Sequence, residues 1–134
     1  MKKLRILLIE DDEIEILKFE RILSTFTQQH QQITARNGEQ ALTLLENESD
    51  LADLILLDLN MPKMNGLEFL TILKGNKSLH HIPVVILTTS NNQKDVIESY
   101  RIGIAGYIMK PLKYEDYQSH IKILIDYWSI NQSI

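Results

Sequence analysis

Leu54-Ile55-Leu56-Leu57-Asp58 places four aliphatic residues in a row and closes them with an acid. A run that short and continuous reads as a strand buried on both faces, because a strand with one wet face would alternate polar with apolar. The pattern recurs on either side. Leu4-Arg5-Ile6-Leu7-Leu8-Ile9 is a mostly apolar, β-prone run stopped by Glu10-Asp11-Asp12. Pro83 introduces Val84-Val85-Ile86-Leu87, which ends at Thr88-Thr89-Ser90. Gly106-Tyr107-Ile108-Met109 ends at Lys110-Pro111, and Ile33-Thr34-Ala35 is a shorter, weaker strand.

Helical periods separate these runs. Ile16, Phe19, Ile22, Leu23 and Phe26 mark a first helix, and Asn37-Gly38 turns the chain into a second carrying Ala41, Leu42, Leu44 and Leu45. Gly66 to Leu73, Asp95 to Ile102, and the face Tyr114, Tyr117, Ile121, Leu124, Ile125 and Trp128 supply three more. Ser90 or Asn91 is placed to cap the fourth. Ile14 and Leu17 fall off the stripe of the first helix and are expected to pack at its margin. Strands alternating with helices pair in parallel, since each crossover helix returns the chain to the same end of the sheet. The expected architecture is a doubly wound α/β sandwich.

At 134 residues the chain has room for one domain and no second core of ordinary size. Such a domain buries roughly two-thirds of its unfolded surface and needs no disulfide or structural metal. There is no cysteine, which excludes disulfides and Cys-ligated zinc. A net charge of -4 without a basic stripe argues against nucleic acid as a partner. The apolar start at Leu4 is too short for a signal peptide and no stretch is long enough for membrane insertion, so a cytoplasmic location is expected. The expectation is one domain over residues 1–134, with no output domain and a polar tail, Ser129 to Ile134, that frays.

In an open parallel sheet, ligands bind in the crevice beyond the carboxyl ends of the strands. There the first strand presents Glu10-Asp11, the third Asp58, the fourth Thr88 and the fifth Lys110. Carboxylates brought together repel, and a hard divalent cation relieves that cost; oxygen donors with retained waters suit Mg²⁺. Such a cluster suits phosphoryl chemistry: a carboxylate can become an aspartyl phosphate, while the cation, an ammonium and a hydroxyl stabilise the phosphoryl oxygens. His30, His80, His81 and His120 show no metal-ligand spacing with these acids, and the His80-His81 pair reads as solvated loop.

Four stretches resemble, in order, the motifs of the response-regulator receiver family. They are Ile6-Leu7-Leu8-Ile9-Glu10-Asp11; Leu56-Leu57-Asp58-Leu59-Asn60-Met61-Pro62 with Gly66 following; Ile82-Pro83-Val84-Val85-Ile86-Leu87-Thr88; and Gly106-Tyr107-Ile108-Met109-Lys110-Pro111. The resemblance covers nearly the whole chain. It implies a flavodoxin-like (βα)5 fold with strand order 2-1-3-4-5, in a single-domain, chemotaxis-receiver-like phosphoprotein of a two-component or phosphorelay system. By resemblance Asp58 is the phosphoacceptor, Thr88 the hydroxyl drawn to the phosphoryl group, Lys110 its cationic partner, and Tyr107 the aromatic that swings inward. The resemblance also implies Mg²⁺, or alternatively Mn²⁺, held by Asp11 and Asp58, by the Asn60 backbone carbonyl, and by Glu10 through water. The family often has a cis peptide at Lys110-Pro111. Its acidic pair directly follows the apolar strand, which selects Glu10 and Asp11 and leaves Asp12 to start or cap the first helix; Asp11 with Asp12 is the alternative register. Thr89 departs from the pattern, where the family more often has alanine.

The implied partners are a sensor histidine kinase or a histidine phosphotransfer protein, and a downstream protein that reads the surface from Asp95 to Trp128. The chain is expected to be a monomer or a weak, phosphorylation-dependent dimer, and Ile14 and Leu17 are alternatively a kinase contact. It would act on itself, through phosphorylation and dephosphorylation of Asp58, and not as a conventional enzyme. The rival readings are a phosphorelay intermediate that passes its phosphoryl group onward, a pseudo-receiver that binds partners without phosphorylation, and a metal-dependent phosphatase. The last usually needs an acid where this chain has Asn60.

Overall fold

Successive side chains of the central strands point to opposite faces and both faces are buried, and this is why their sequences are continuously apolar. In the computed structural model, β1 (Arg5–Ile9), β3 (Leu54–Leu57) and β4 (Val84–Thr88) turn Leu7, Ile9, Ile55, Leu57, Val84 and Ile86 to one core. The intervening Ile6, Leu8, Leu54, Leu56, Val85 and Leu87 face a second core on the other side of the sheet. The first core is closed by α2 (Gly38–Asn47), α3 (Gly66–Lys74) and α4 (Gln93–Ile102). The second is closed by α1 (Glu13–Leu23) and α5 (Tyr114–Ile130). With β2 (Gln31–Ala35) and β5 (Gly106–Met109) at the edges, the sheet runs β2-β1-β3-β4-β5, every pair parallel. This is the flavodoxin-like order the family resemblance implies. The structure describes residues 1–47, 51–61 and 64–132, so Pro62 of the expected motif lies outside the described residues, as do Ser133 and Ile134.

Several local expectations are corrected. The side-chain cap of α4 is Asn92, not Ser90 or Asn91: its carboxamide oxygen accepts the Lys94 N–H at 2.9 Å. Ile14 and Leu17 do not pack at a margin; they are 69% and 53% exposed, because Ile16, Phe19, Ile22 and Leu23 fill the buried face of α1. Among the described residues no peptide bond is cis, so Lys110-Pro111 is trans, the default even before proline. Within the stretch expected to fray, Ser129 and Ile130 are helical. Ser129 is buried, donates its hydroxyl to the Ile125 carbonyl at 2.7 Å, and accepts the Lys2 N–H at 3.1 Å. No helix among the described residues is long and apolar enough to cross a membrane.

Gly66 positions the site directly. A Cβ there would lie 2.7 Å from the Leu59 Cα and 2.9 Å from the Asp58 carbonyl oxygen. Only glycine lets the first turn of α3 pack so closely on the backbone that follows β3. Gly103, at φ 127°, ends α4 in a conformation that side-chain-bearing residues rarely adopt.

Candidate functional site

Three backbone hydrogen bonds carry the sheet one residue past its strands. Asp58 N–H donates to the Ile9 carbonyl at 3.1 Å, Glu10 N–H to Ala35 at 2.9 Å, and Lys110 N–H to Thr88 at 2.8 Å. The register that pairs apolar residues inside the sheet therefore also aligns the polar residues at its carboxyl edge. One carboxylate oxygen from each of Glu10, Asp11 and Asp58 lies within 4.8 Å of the others. Glu10 is buried and Asp58 is only 9% exposed, whereas Asp11 is exposed at the mouth.

Lys110 enters this cluster from β5, its Nζ 2.6 Å from Glu10 Oε1 and 3.8 Å from Glu15 Oε2. Burial pushes the Glu10 carboxyl above its ordinary range and the Asp58 charge adds to this, while Lys110 holds it down. Burial would lower the Lys110 ammonium, but its hydrogen bond to Glu10 and the charges of Glu10, Asp58 and Glu15 more than reverse that, and it is raised. With the carboxylates of Glu10, Asp11 and Asp58 gathered around the Lys110 ammonium, the pocket carries more negative charge than that one cation neutralises. A site made of carboxylate oxygens with surplus negative charge fits a hard divalent cation.

The remaining expected residues sit close by. Thr88 is fully buried at the end of β4, and its hydroxyl accepts the Ser90 N–H at 3.3 Å. Asn60 is exposed, and its N–H reaches Asp58 Oδ1 at 3.4 Å, a long contact. Tyr107 is half-buried on β5, its hydroxyl donating to the Ser90 carbonyl at 2.9 Å. Asp12 is not part of the acid cluster. It is the N-cap of α1, accepting the Ile14 N–H at 2.9 Å, while its own N–H donates to Glu10 Oε2 at 3.2 Å. Of the two registers weighed, the geometry gathers Glu10 with Asp11.

A family model described as the response regulator receiver domain matches residues 6–122. The chain belongs to the response regulator receiver family. Response regulator Rcp1 of Synechocystis sp. is 37% identical over 128 residues, which cover 92% of this chain and 87% of that protein. The solved structure of the phosphorylated cyanobacterial phytochrome response regulator RcpA superposes with a TM-score of 0.92 at 33% identity, over 98% of both chains. That of the Mn²⁺-bound form of Rcp1 gives 0.89 at 35%, again over 98% of both.

Two contacts of this receiver involve residues outside its four motif stretches. Ser90 donates its hydroxyl to Asp95 Oδ2 at 2.9 Å, tying the β4–α4 loop to the first turn of α4 below the Tyr107 hydroxyl. Glu15, on α1, meets Lys110 from the far end of the chain. An acid and a serine five positions apart are a local signal for the first contact. The second has no local signal.

Proposed function

We propose that this receiver takes a phosphoryl group from a phosphohistidine onto Asp58. The observation that carries the reading is the convergence of the Glu10, Asp11 and Asp58 carboxylates with the Lys110 ammonium at one edge of the sheet. An Asp58 oxygen attacks phosphorus, the P–O bond forms as the P–N bond to histidine breaks, and the imidazole leaves with a proton. The product is a mixed anhydride, which water removes by attack at phosphorus. Asp11 and Asp58, the Asn60 carbonyl, and Glu10 through water would hold Mg²⁺ or Mn²⁺. When bound, that cation supplies charge neutralisation at the phosphoryl oxygens. Thr88 is the hydroxyl donor to the phosphoryl group and Lys110 its fixed positive charge. Likeness to a phosphorylated RcpA and a Mn²⁺-bound Rcp1 supports both parts of this reading.

Phosphorylation adds roughly 1.5 to 2 negative charges at the end of β3. If Thr88 and Lys110 engage them in one conformer only, the balance of states shifts toward that conformer. Thr88 is linked through Ser90 to Tyr107, so the change reaches β5 and α4. The surface read by the downstream partner is α4-β5-α5, where Ile97, Tyr100, Met109, Ile123 and Tyr127 are exposed. The donor is a sensor histidine kinase, of the phytochrome-linked kind by likeness to the phytochrome response regulator RcpA, or a phosphotransfer protein. The proposed location is the cytoplasm.

Incubation with acetyl phosphate and Mg²⁺, read by intact mass, tests the reading. Wild type gains the mass of one phosphoryl group; Asp58→Asn does not, and chelating the metal abolishes the gain. Sustained phosphate release without an adduct would instead indicate a phosphatase, and no modification a phosphorylation-independent binding module.

A further inference from the structure

We propose that Glu15 is a positioning residue of this receiver, whose buried carboxylate oxygen competes with the Asp58 phosphoryl group for the Lys110 ammonium. The inference rests on the phosphoacceptor reading above and concerns a residue of α1 that none of the expected motifs contains. Glu15 Oε2 is buried, has no hydrogen-bond partner, and lies 3.8 Å from Lys110 Nζ. The other oxygen, Oε1, is 3.1 Å from Lys18 Nζ, one turn along the same helix. Lys18 in turn stands 4.9 Å over the centre of the Tyr117 ring of α5, a cation–π arrangement. A chain of alternating charge thus runs from Glu10 through Lys110 and Glu15 to Lys18, ending against α5.

An ammonium has three donors, and one of those on Lys110 is committed to Glu10 at 2.6 Å. Glu15 draws the same ammonium toward α1. A phosphoryl group on Asp58 therefore engages Lys110 against two carboxylates, and the strength of one is set by how fully Lys18 satisfies it. Removing the charge of Glu15 frees Lys110. Removing Lys18 leaves Lys110 as the cation nearest Glu15 and tightens the hold. The two changes act on Lys110 in opposite directions, whereas simple loosening of α1 would move both the same way.

The test is binding of beryllofluoride, a phosphoryl mimic, with Mg²⁺ to the full chain by titration calorimetry. Glu15→Gln should bind roughly threefold to fivefold tighter than wild type, the scale of one partly screened ion pair. Lys18→Met should bind about twofold to threefold weaker by the same reasoning. Shifts of the same sign, or a Glu15→Gln affinity equal to wild type, would overturn the proposal. Should Glu15→Gln fail to fold, Lys18→Met decides alone, with an unchanged or tighter affinity counting against it. A wild type that neither binds beryllofluoride nor gains phosphoryl mass defeats the phosphoacceptor reading itself. A wild type that does both, with unshifted variants, removes only the role of Glu15.

Discussion

Lys110 is the residue on which the electrostatics of the site balance. Its side chain is 10% exposed, and that of its partner Glu10 4%. Removing the cation leaves a buried carboxylate unpaired, a larger loss than the net worth of the pair. Because burial already raises Glu10, part of that cost is relieved by its taking up a proton. Lys110→Gln should therefore lower stability at pH 7 by about 2 kcal/mol, measured by urea denaturation. Mg²⁺ should restore more stability to this variant than it adds to wild type, since a more negative pocket binds a cation more tightly. Equal gains would mean that the carboxylates and Lys110 do not share one field. The identities of Glu10, Asp58, Thr88 and Lys110 were legible because each follows an apolar run. The contact from Glu15 was not, because a helical acid reads the same whether it faces water or a lysine from a distant strand.

At the scale of the element, the start of α1 decides which acids face the site. Three consecutive acids allowed two registers, and the capping geometry separates them. An N-cap must turn its side chain back to its own helix, so Asp12 accepts the Ile14 N–H and lies outside the cluster of Glu10, Asp11 and Asp58. Asp12→Ala should cost about 1 kcal/mol of stability in a denaturant melt, yet leave the phosphoryl mass gain on Asp58 intact. Asp11→Ala should do the reverse, with near-wild-type stability and weakened Mg²⁺ binding. Strong phosphorylation in Asp11→Ala and none in Asp12→Ala would restore the other register. The strand ends and the Asp12 cap were readable from the sequence, whereas the cap of α4 was not. Asn91 and Asn92 have the same chemistry, and only the path of the chain out of β4 selects Asn92.

For the molecule as a whole, the end of the sheet away from the site carries a pH-sensitive fastening. The Leu4 N–H donates to His30 Nδ1 at 2.9 Å, just before β1 and β2 begin, so the ring there is neutral with its proton on Nε2. Burial lowers the His30 pKa from 6.5, with the Asp126 charge opposing it. A lowered value means that below pH 6.5 the unfolded chain binds the proton more readily than the folded one. Stability should therefore fall as the pH drops from 6.5 toward the folded-state value, and be level above 6.5 as far as this group is concerned. Melting temperatures across that range should show the slope in wild type and lose it in His30→Gln. A slope unchanged by the substitution would place its origin elsewhere. The sequence alone determined the five strands and the residues at the carboxyl edge, because hydrophobic period is a local property, and their parallel order through the family resemblance. Tertiary structure decided the pairing of Lys110 with Glu10 and Glu15, and the exposure of Ile14 and Leu17. These depend on distances between segments far apart in the chain, set by packing across the sheet, and no pattern within one segment encodes them.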